Sequence, residues 1–299
     1  MSTSKDVSIQ SAHTVSVLRA IAVKEKDPAV RGSDYMAKHF LTPKYSIFVG
    51  LLPHRFLKSY VQLRAPGSYC FMLTRTRHFD NTLLNELESG IQQVVLLGAG
   101  YDTRSFRFAG QLQNVAVFEV DFPGTQQYKK KRLRETGSNL PSAVTYIPLD
   151  FNEESFSKAL IRNGFSPRLK TLFLWEGVSY YLPQPVVEQV LTFVSTCAPG
   201  SSILFDYSIK SFVNGDNSTY GGRQLANWLK KIKEPFLFGL NPDETPCFLH
   251  SCGLKPLSDY GPEDFEDMYL QTSKGRLYGR TFGHIRMVHA VVPVLDQDE

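Results

Sequence analysis

Apolar positions fall into two regimes along this chain. Up to about residue 90 they recur with the period of a helix, over 15–22, 33–40 and 69–88, and in the last of these Leu83, Leu84 and Leu87 share one face. The stretch 51–63 mixes apolar and basic residues, and Arg64-Ala65-Pro66-Gly67 punctuates it. The first 15 or so residues are polar and expected to be loosely attached. Beyond residue 90 the pattern changes to short β-rich apolar runs at 93–97, 116–120, 144–148, 171–175 and 202–207. Segments long enough for helices, 124–136, 153–163 and 185–198, lie between them. Strand alternating with helix at this rhythm predicts right-handed βαβ units and a parallel sheet. The runs are apolar throughout rather than alternating, as expected of strands covered by helices on both faces.

The tail differs again. Residues 206–222 hold three glycines and two asparagines and read as a long loop or lid. A helix is predicted at 224–233, a sixth strand at 254–257, a helix at 263–270 and a seventh strand at 285–294. The expected fold is therefore α/β and Rossmann-like, with a mostly parallel seven-stranded sheet. Residues 1–90 would form a helical N-terminal cap or lid, and 91–299 the core, with a lid insertion around 206–252.

Composition narrows the class without choosing the function. The 299 residues are 42% hydrophobic and 21% charged, with a formal net charge of +4, which is ordinary for a globular chain. The one dense basic cluster, Lys129 to Arg134, falls in a predicted helix and is read as a solvated face, so no nucleic-acid partner is expected. Cys70, Cys197, Cys247 and Cys252 form no C-x-x-C pair or zinc spacing, so neither a metal nor a disulfide framework is expected. No signal-like run opens the chain, and no stretch nears the ~18 apolar residues of a membrane span. A cytoplasmic protein without a membrane partner is the default expectation.

The chemistry concentrates at strand ends. The first strand runs into Gly98-Ala99-Gly100, where bare backbone and a following helix N-terminus can approach a ligand. A dinucleotide fingerprint would need a third glycine where Thr103 stands. A G-x-G without it suits a ligand lacking phosphates, such as S-adenosylmethionine. Asp121 closes the next strand about 20 residues on, where a carboxylate can accept both ribose hydroxyls; Glu119 competes for that role. Asp150, with Phe151 beside it, closes the third strand on the adenine side, and Glu176 closes the fourth.

These residues resemble a known family. Gln93-Val94-Val95-Leu96-Leu97-Gly98-Ala99-Gly100-Tyr101-Asp102-Thr103-Arg104, then Phe118-Glu119-Val120-Asp121-Phe122-Pro123 and Glu176-Gly177-Val178-Ser179-Tyr180-Tyr181-Leu182, look like the leucine carboxyl methyltransferase family. The upstream Pro66-Gly67-Ser68-Tyr69 and Arg75-Thr76-Arg77-His78-Phe79-Asp80 are similar to its bacterial and fungal branch, which includes polyketide carboxyl O-methyltransferases. The resemblance spans roughly residues 34–294. It implies a class I fold with S-adenosyl-L-methionine across Gly98 and Gly100, the cofactor carboxylate on Arg77, the ribose on Asp121 and the adenine on Asp150, and a fourth-strand acid at Glu176. The family's N-terminal basic contact has no secure counterpart, Arg19 being the candidate.

The resemblance points to O-methylation, with a small-molecule, polyketide-like acid as the expected acceptor. A carboxylate is ionised at pH 7 and needs no general base, whereas a phenol does. Tyr180, Tyr181, Lys210 and Arg223 are candidates for contacting the substrate, as are Arg107 and His250. Phe122, Phe212, Trp228, Phe236 and Phe238 could line an aromatic pocket. A protein C-terminal carboxylate or a phenol as acceptor, a nicotinamide-dependent oxidoreductase and a non-catalytic binding module remain the alternatives.

Overall fold

Val94, Val95, Leu96 and Leu97 are all buried, so the strand they form, β1 (Gln93–Leu97), has no solvent face and must lie inside a sheet. The structure is a computed structural model describing residues 4–137, 141, 143–150 and 155–294. Its other strands are β2 (Ala116–Asp121), β3 (Val144–Pro148), β4 (Thr171–Trp175), β5 (Ser202–Ile209), β6 (Gly239–Leu240), β7 (Lys255–Tyr260) and β8 (Ile285–Val291). The sheet order is β3-β2-β1-β4-β5-β8-β7, with β6 paired to the end of β5. The first five strands are parallel, and β8 runs antiparallel to both β5 and β7.

Alternate residues of β1 feed two cores. Val95 and Leu97 pack with Phe173, Trp175 and the helices Phe156–Arg162 and Gln184–Ser195; Val94 and Leu96 pack with Phe71, Phe79 and Leu83 of the helix Ser68–Glu88. Chain order reverses at β1, whose neighbours are β2 and β4, and a cavity lined by residues at the carboxyl ends of these strands opens there.

Several expectations need adjusting. The sheet has eight strands among the described residues, because the two-residue β6, too short to leave a periodic signature, adds to the seven expected. The helix expected at 33–40 is only a 3₁₀ turn, Ala37–Phe40: the Asp34 side chain accepts from the Ala37 N–H and then turns to Thr103 and Arg19. Residues 206–209, expected to open a loop or lid, are strand, since β5 continues to Ile209 and Asp206 is fully buried in it. The basic cluster is not a plain solvated face either. Lys129 is buried and pairs with Glu119 at 2.6 Å, and the Lys130 ammonium sits 4.2 Å from the Tyr146 ring centre.

Candidate active site

At the end of β1 the backbone of Gly98 and Gly100 turns through positive φ, +63° and +49°. A Cβ on Gly98 would meet Val178 Cγ2 at 2.5 Å, so side-chain-free backbone is required here on both counts. Beside it, the Asp121 carboxylate accepts from the Gly100 N–H and, at 2.6 Å, from the Phe122 N–H. Each oxygen keeps a lone pair for a further donor. Burial pushes the Asp121 carboxyl up to about 6 against the pull of these N–H groups. Glu119, its rival in the sequence, is fully buried, is held by Lys129 and Ser105 and does not line the cavity.

Next to the glycines stands a buried ionic network. Glu176, just past β4, receives Arg19, Arg75 at 3.0 Å and Arg104 at 2.7 Å. Arg75 also pairs with Asp206 at 2.9 Å, and Arg104 and Arg107 share Asp80. Burial alone would raise the Glu176 carboxyl, but the guanidiniums of Arg19, Arg104 and Arg75 hold it well below the usual carboxylate range. Four guanidiniums (Arg19, Arg75, Arg104, Arg107) thus face five carboxylates (Asp34, Asp80, Asp102, Glu176, Asp206), leaving one negative charge over. A ligand with net positive charge would complete the balance.

Both features open on one cavity of about 860 Å³. Its polar end holds Arg19, Arg75, Gly98, Gly100, Asp121 and Glu176. Its aromatic lining, Phe71, Tyr180, Tyr181, Trp228, Phe236 and Phe282, adjoins that polar group: Arg75 lies 5.0 Å from the Phe71 ring centre and donates to the Tyr180 hydroxyl at 3.3 Å. The aromatic rings are mutually packed: Tyr180 lies 4.2 Å from Phe236 and 4.9 Å from Tyr181, centre to centre.

The structure therefore gathers Gly98, Gly100, Asp121, Glu176, Tyr180 and Tyr181 around one space, and moves other candidates out of it. Arg77 points away: its guanidinium donates to the carbonyls of Ala29, Pro28 and Arg31 at 2.5, 3.2 and 2.8 Å. Arg75, passed over in the sequence, takes its place at the cavity. Helical spacing carries the signal, since Arg75 is four residues from both Phe71 and Phe79, which are buried, whereas Arg77 begins the outward stripe Asn81, Asn85, Glu88. Lys210 is exposed and pairs with Glu244 at 3.5 Å, and Arg223 and His250 are exposed outside the cavity lining. Arg107 is committed to Asp80. Of the five aromatics, Phe122, Trp228 and Phe236 reach the cavity, while Phe212 and Phe238 are packed in the two cores. Asp150 is half-buried beyond β3, which pairs with the β2 strand carrying Asp121; Phe151 lies outside the described residues.

Two further residues of the cavity had no motif to mark them. Glu234 lines it with its carboxyl raised by burial, and Arg64 lines it with no ion pair among the described residues. Glu234 comes there by the return of the chain after the helix Gly222–Ile232, and Arg64 as the last residue of the helix His54–Arg64.

Comparisons agree with this picture. The leucine carboxyl methyltransferase family model matches residues 12–195. A Bacillus subtilis (strain 168) protein named as the S-adenosyl-L-methionine-dependent methyltransferase YktD is 31% identical over 240 residues, covering 80% of this chain and 77% of that one. A Mycobacteroides abscessus protein named as an S-adenosyl-L-methionine-dependent methyltransferase is 32% identical over 173 residues, 54% of this chain and 56% of that one. Among solved structures, a methyltransferase from Thermobifida fusca YX covers 98% of this chain and 100% of its own, at TM-score 0.59 and 13% identity. A DUF574 family protein from Streptomyces avermitilis MA-4680 covers 96% and 100%, at TM-score 0.60 and 14% identity. At that identity the two structures speak for the fold alone.

Proposed function

The chain belongs to the leucine carboxyl methyltransferase family and is an S-adenosyl-L-methionine-dependent methyltransferase; from that premise we propose that its acceptor is the carboxylate of a small-molecule acid. The residues at the cavity's polar end fit the cofactor. Asp121 has lone pairs for two ribose hydroxyls, Gly98 leaves its backbone bare, and the arginine–carboxylate network carries the single negative charge that offsets a zwitterionic head plus a sulfonium. In this reading Arg19 and Arg75 take the methionyl carboxylate, Glu176 fixes both guanidiniums, and Asp150 serves the adenine side. The bound cofactor supplies an electrophilic methyl group.

What the chain itself contributes is alignment and exclusion of water. The observation that carries the acceptor assignment is the aromatic lining of the cavity, which the exposed Arg64 joins with no ion pair among the described residues. A carboxylate is already ionised near neutral pH and asks only for a cation and apolar walls. In the same reading, the helices before residue 91 are the cap over the site. The test is methyl transfer from labelled donor to a panel of small acids and phenols, with products treated with mild base. Methyl esters release the label as methanol and methyl ethers keep it, so base-stable product alone would overturn the assignment.

Glu234 favours a second reading. A burial-raised carboxyl in the cavity lining is suited to take a proton from a hydroxyl acceptor. It would make the enzyme a phenol methyltransferase on the same scaffold.

A further inference from the structure

The helices Pro43–Leu51 and His54–Arg64 bury very little: Val49 is the buried residue of the first and Leu57 of the second. They are nonetheless not polar. Leu51 and Leu63 are 80% exposed and Ile47 is 62% exposed, with Tyr45, Phe56 and Tyr60 about half exposed. Spacing aligns Ile47 with Leu51 on the first helix, and Phe56 with Tyr60 and Leu63 on the second. Helices this short are marginal on their own and owe their stability to what covers their apolar side. A contiguous apolar patch on a folded surface marks an interaction site.

Charge selects what covers it. From Tyr35 to Phe79 the chain contains no Asp or Glu, and Lys44, Arg55 and Arg64 are exposed on these two helices. Lys58 is already engaged, with its ammonium 3.1 Å from the Tyr278 ring centre and donating to the Tyr278 carbonyl. Glu25, the acid packed beneath the second helix, is taken up by Tyr278 and His54. A two-fold contact between copies would set this cationic face against itself. Exposed aromatic and aliphatic side chains among cations that have no ion pair among the described residues instead match the headgroup boundary of an anionic membrane.

The patch is also continuous with the active site, because Tyr45, Tyr60 and Arg64 belong both to it and to the cavity lining. No helix among the described residues is long and apolar enough to cross a membrane, which leaves docking on the surface. The expectation of no membrane partner rested on the lack of a spanning segment and does not bear on docking. We propose that residues 43–64 seat this protein on the surface of an anionic phospholipid bilayer, with the mouth of the cavity at the interface.

Flotation of the purified full chain with vesicles tests this. Binding is expected to vesicles of phosphatidylcholine mixed with phosphatidylglycerol, weakly or not at all to phosphatidylcholine alone, and to weaken as salt is raised. Lys44→Glu and Arg55→Glu should each reduce binding about five-fold or more, the equivalent of ~1 kcal/mol per surface cation. Leu51→Glu with Leu63→Glu should reduce it at least ten-fold with the thermal midpoint unchanged, both side chains being solvent-exposed. Absence of wild-type flotation with the anionic vesicles, or equal flotation of the substituted proteins, overturns the proposal. So does a dimer in light scattering that Leu51→Glu dissociates, which would assign the face to a second copy.

Discussion

Arg75 and Arg77 are two residues apart on one helix, yet their guanidiniums serve opposite sides of it. Arg75 reaches Glu176 and Asp206 at the cavity, and Arg77 ties the loop carbonyls of Pro28, Ala29 and Arg31. A two-residue step turns a helix by about 200°, which is enough to exchange a place at the cavity for a structural clamp. Arg75→Lys keeps the charge but loses the planar fork, and should weaken S-adenosyl-L-methionine binding by about 1.5–3 kcal/mol in calorimetric titration. Arg77→Ala should leave that affinity unchanged and lower stability to unfolding by about 1–3 kcal/mol. The reverse pattern would return the cofactor contact to Arg77.

Asp121 gives the site a pH signature. Its carboxyl is raised to about 6, and only the ionised form can accept from two hydroxyls at once. Cofactor affinity should therefore fall as pH drops through about 6 and level off above it. Asp121→Asn should flatten that dependence, and Asp121→Ala should cost about 1–3 kcal/mol of binding at neutral pH. A raised carboxyl also works against folding at higher pH: between its ordinary value of 3.8 and about 6 the folded chain holds the extra proton, so this group's effect on stability worsens as pH rises through that window.

Glu176 has the opposite sign. Its folded carboxyl is depressed by three guanidiniums, so the stability it contributes is present above its ordinary value of 4.5 and is lost as pH falls toward the lowered one. Glu176→Gln removes one buried partner from each of Arg19, Arg75 and Arg104, which keep Asp34, Asp206 and the pair Asp80 and Asp102, and should cost about 1–3 kcal/mol in urea unfolding. The substituted protein should also lose part of the acid-side slope of stability against pH. An equal slope in both proteins would show that the three arginines are not held by this carboxylate.

Glu234 separates the two acceptor readings. With a carboxylate acceptor, Glu234→Gln should leave kcat within a few-fold of wild type and its pH profile unchanged. With a hydroxyl acceptor, the same substitution should lower kcat by about 10²–10⁴ and remove an ionisation from the profile. Steady-state rates across pH on the acceptor found by the product assay decide between them.

Much of the cofactor side could be read along the chain because it is local. Gly98 and Gly100 follow directly on a buried strand, Asp121 closes the next one and Glu176 ends the fourth, so a parallel sheet alone brings their backbone positions to one edge. Where several side chains compete, local pattern fails. Asp121 and Glu119 are both acids on β2 and, two residues apart, share a face of the strand; their roles separate because Glu119 is fully buried against Lys129 and Ser105, whereas Asp121 closes the strand beside the Gly100 and Phe122 N–H groups. Part of the aromatic lining was legible too, in Tyr180, Tyr181, Trp228 and Phe236, whereas Arg64, Glu234 and the apolar faces of residues 43–64 lie in segments whose neighbours are distant in sequence.

The sequence by itself determined the α/β class, the crevice after β1 and the family, because strand and helix periods and a strand-to-glycine turn are short-range properties. The tertiary structure alone decided which arginine faces that crevice, what balances Glu176, that Arg64 and Glu234 join the cavity lining and which apolar side chains remain uncovered. Those depend on which long side chains meet after the helices close over the sheet, and side-chain direction across such gaps is fixed by packing and charge pairing rather than by any pattern along the chain.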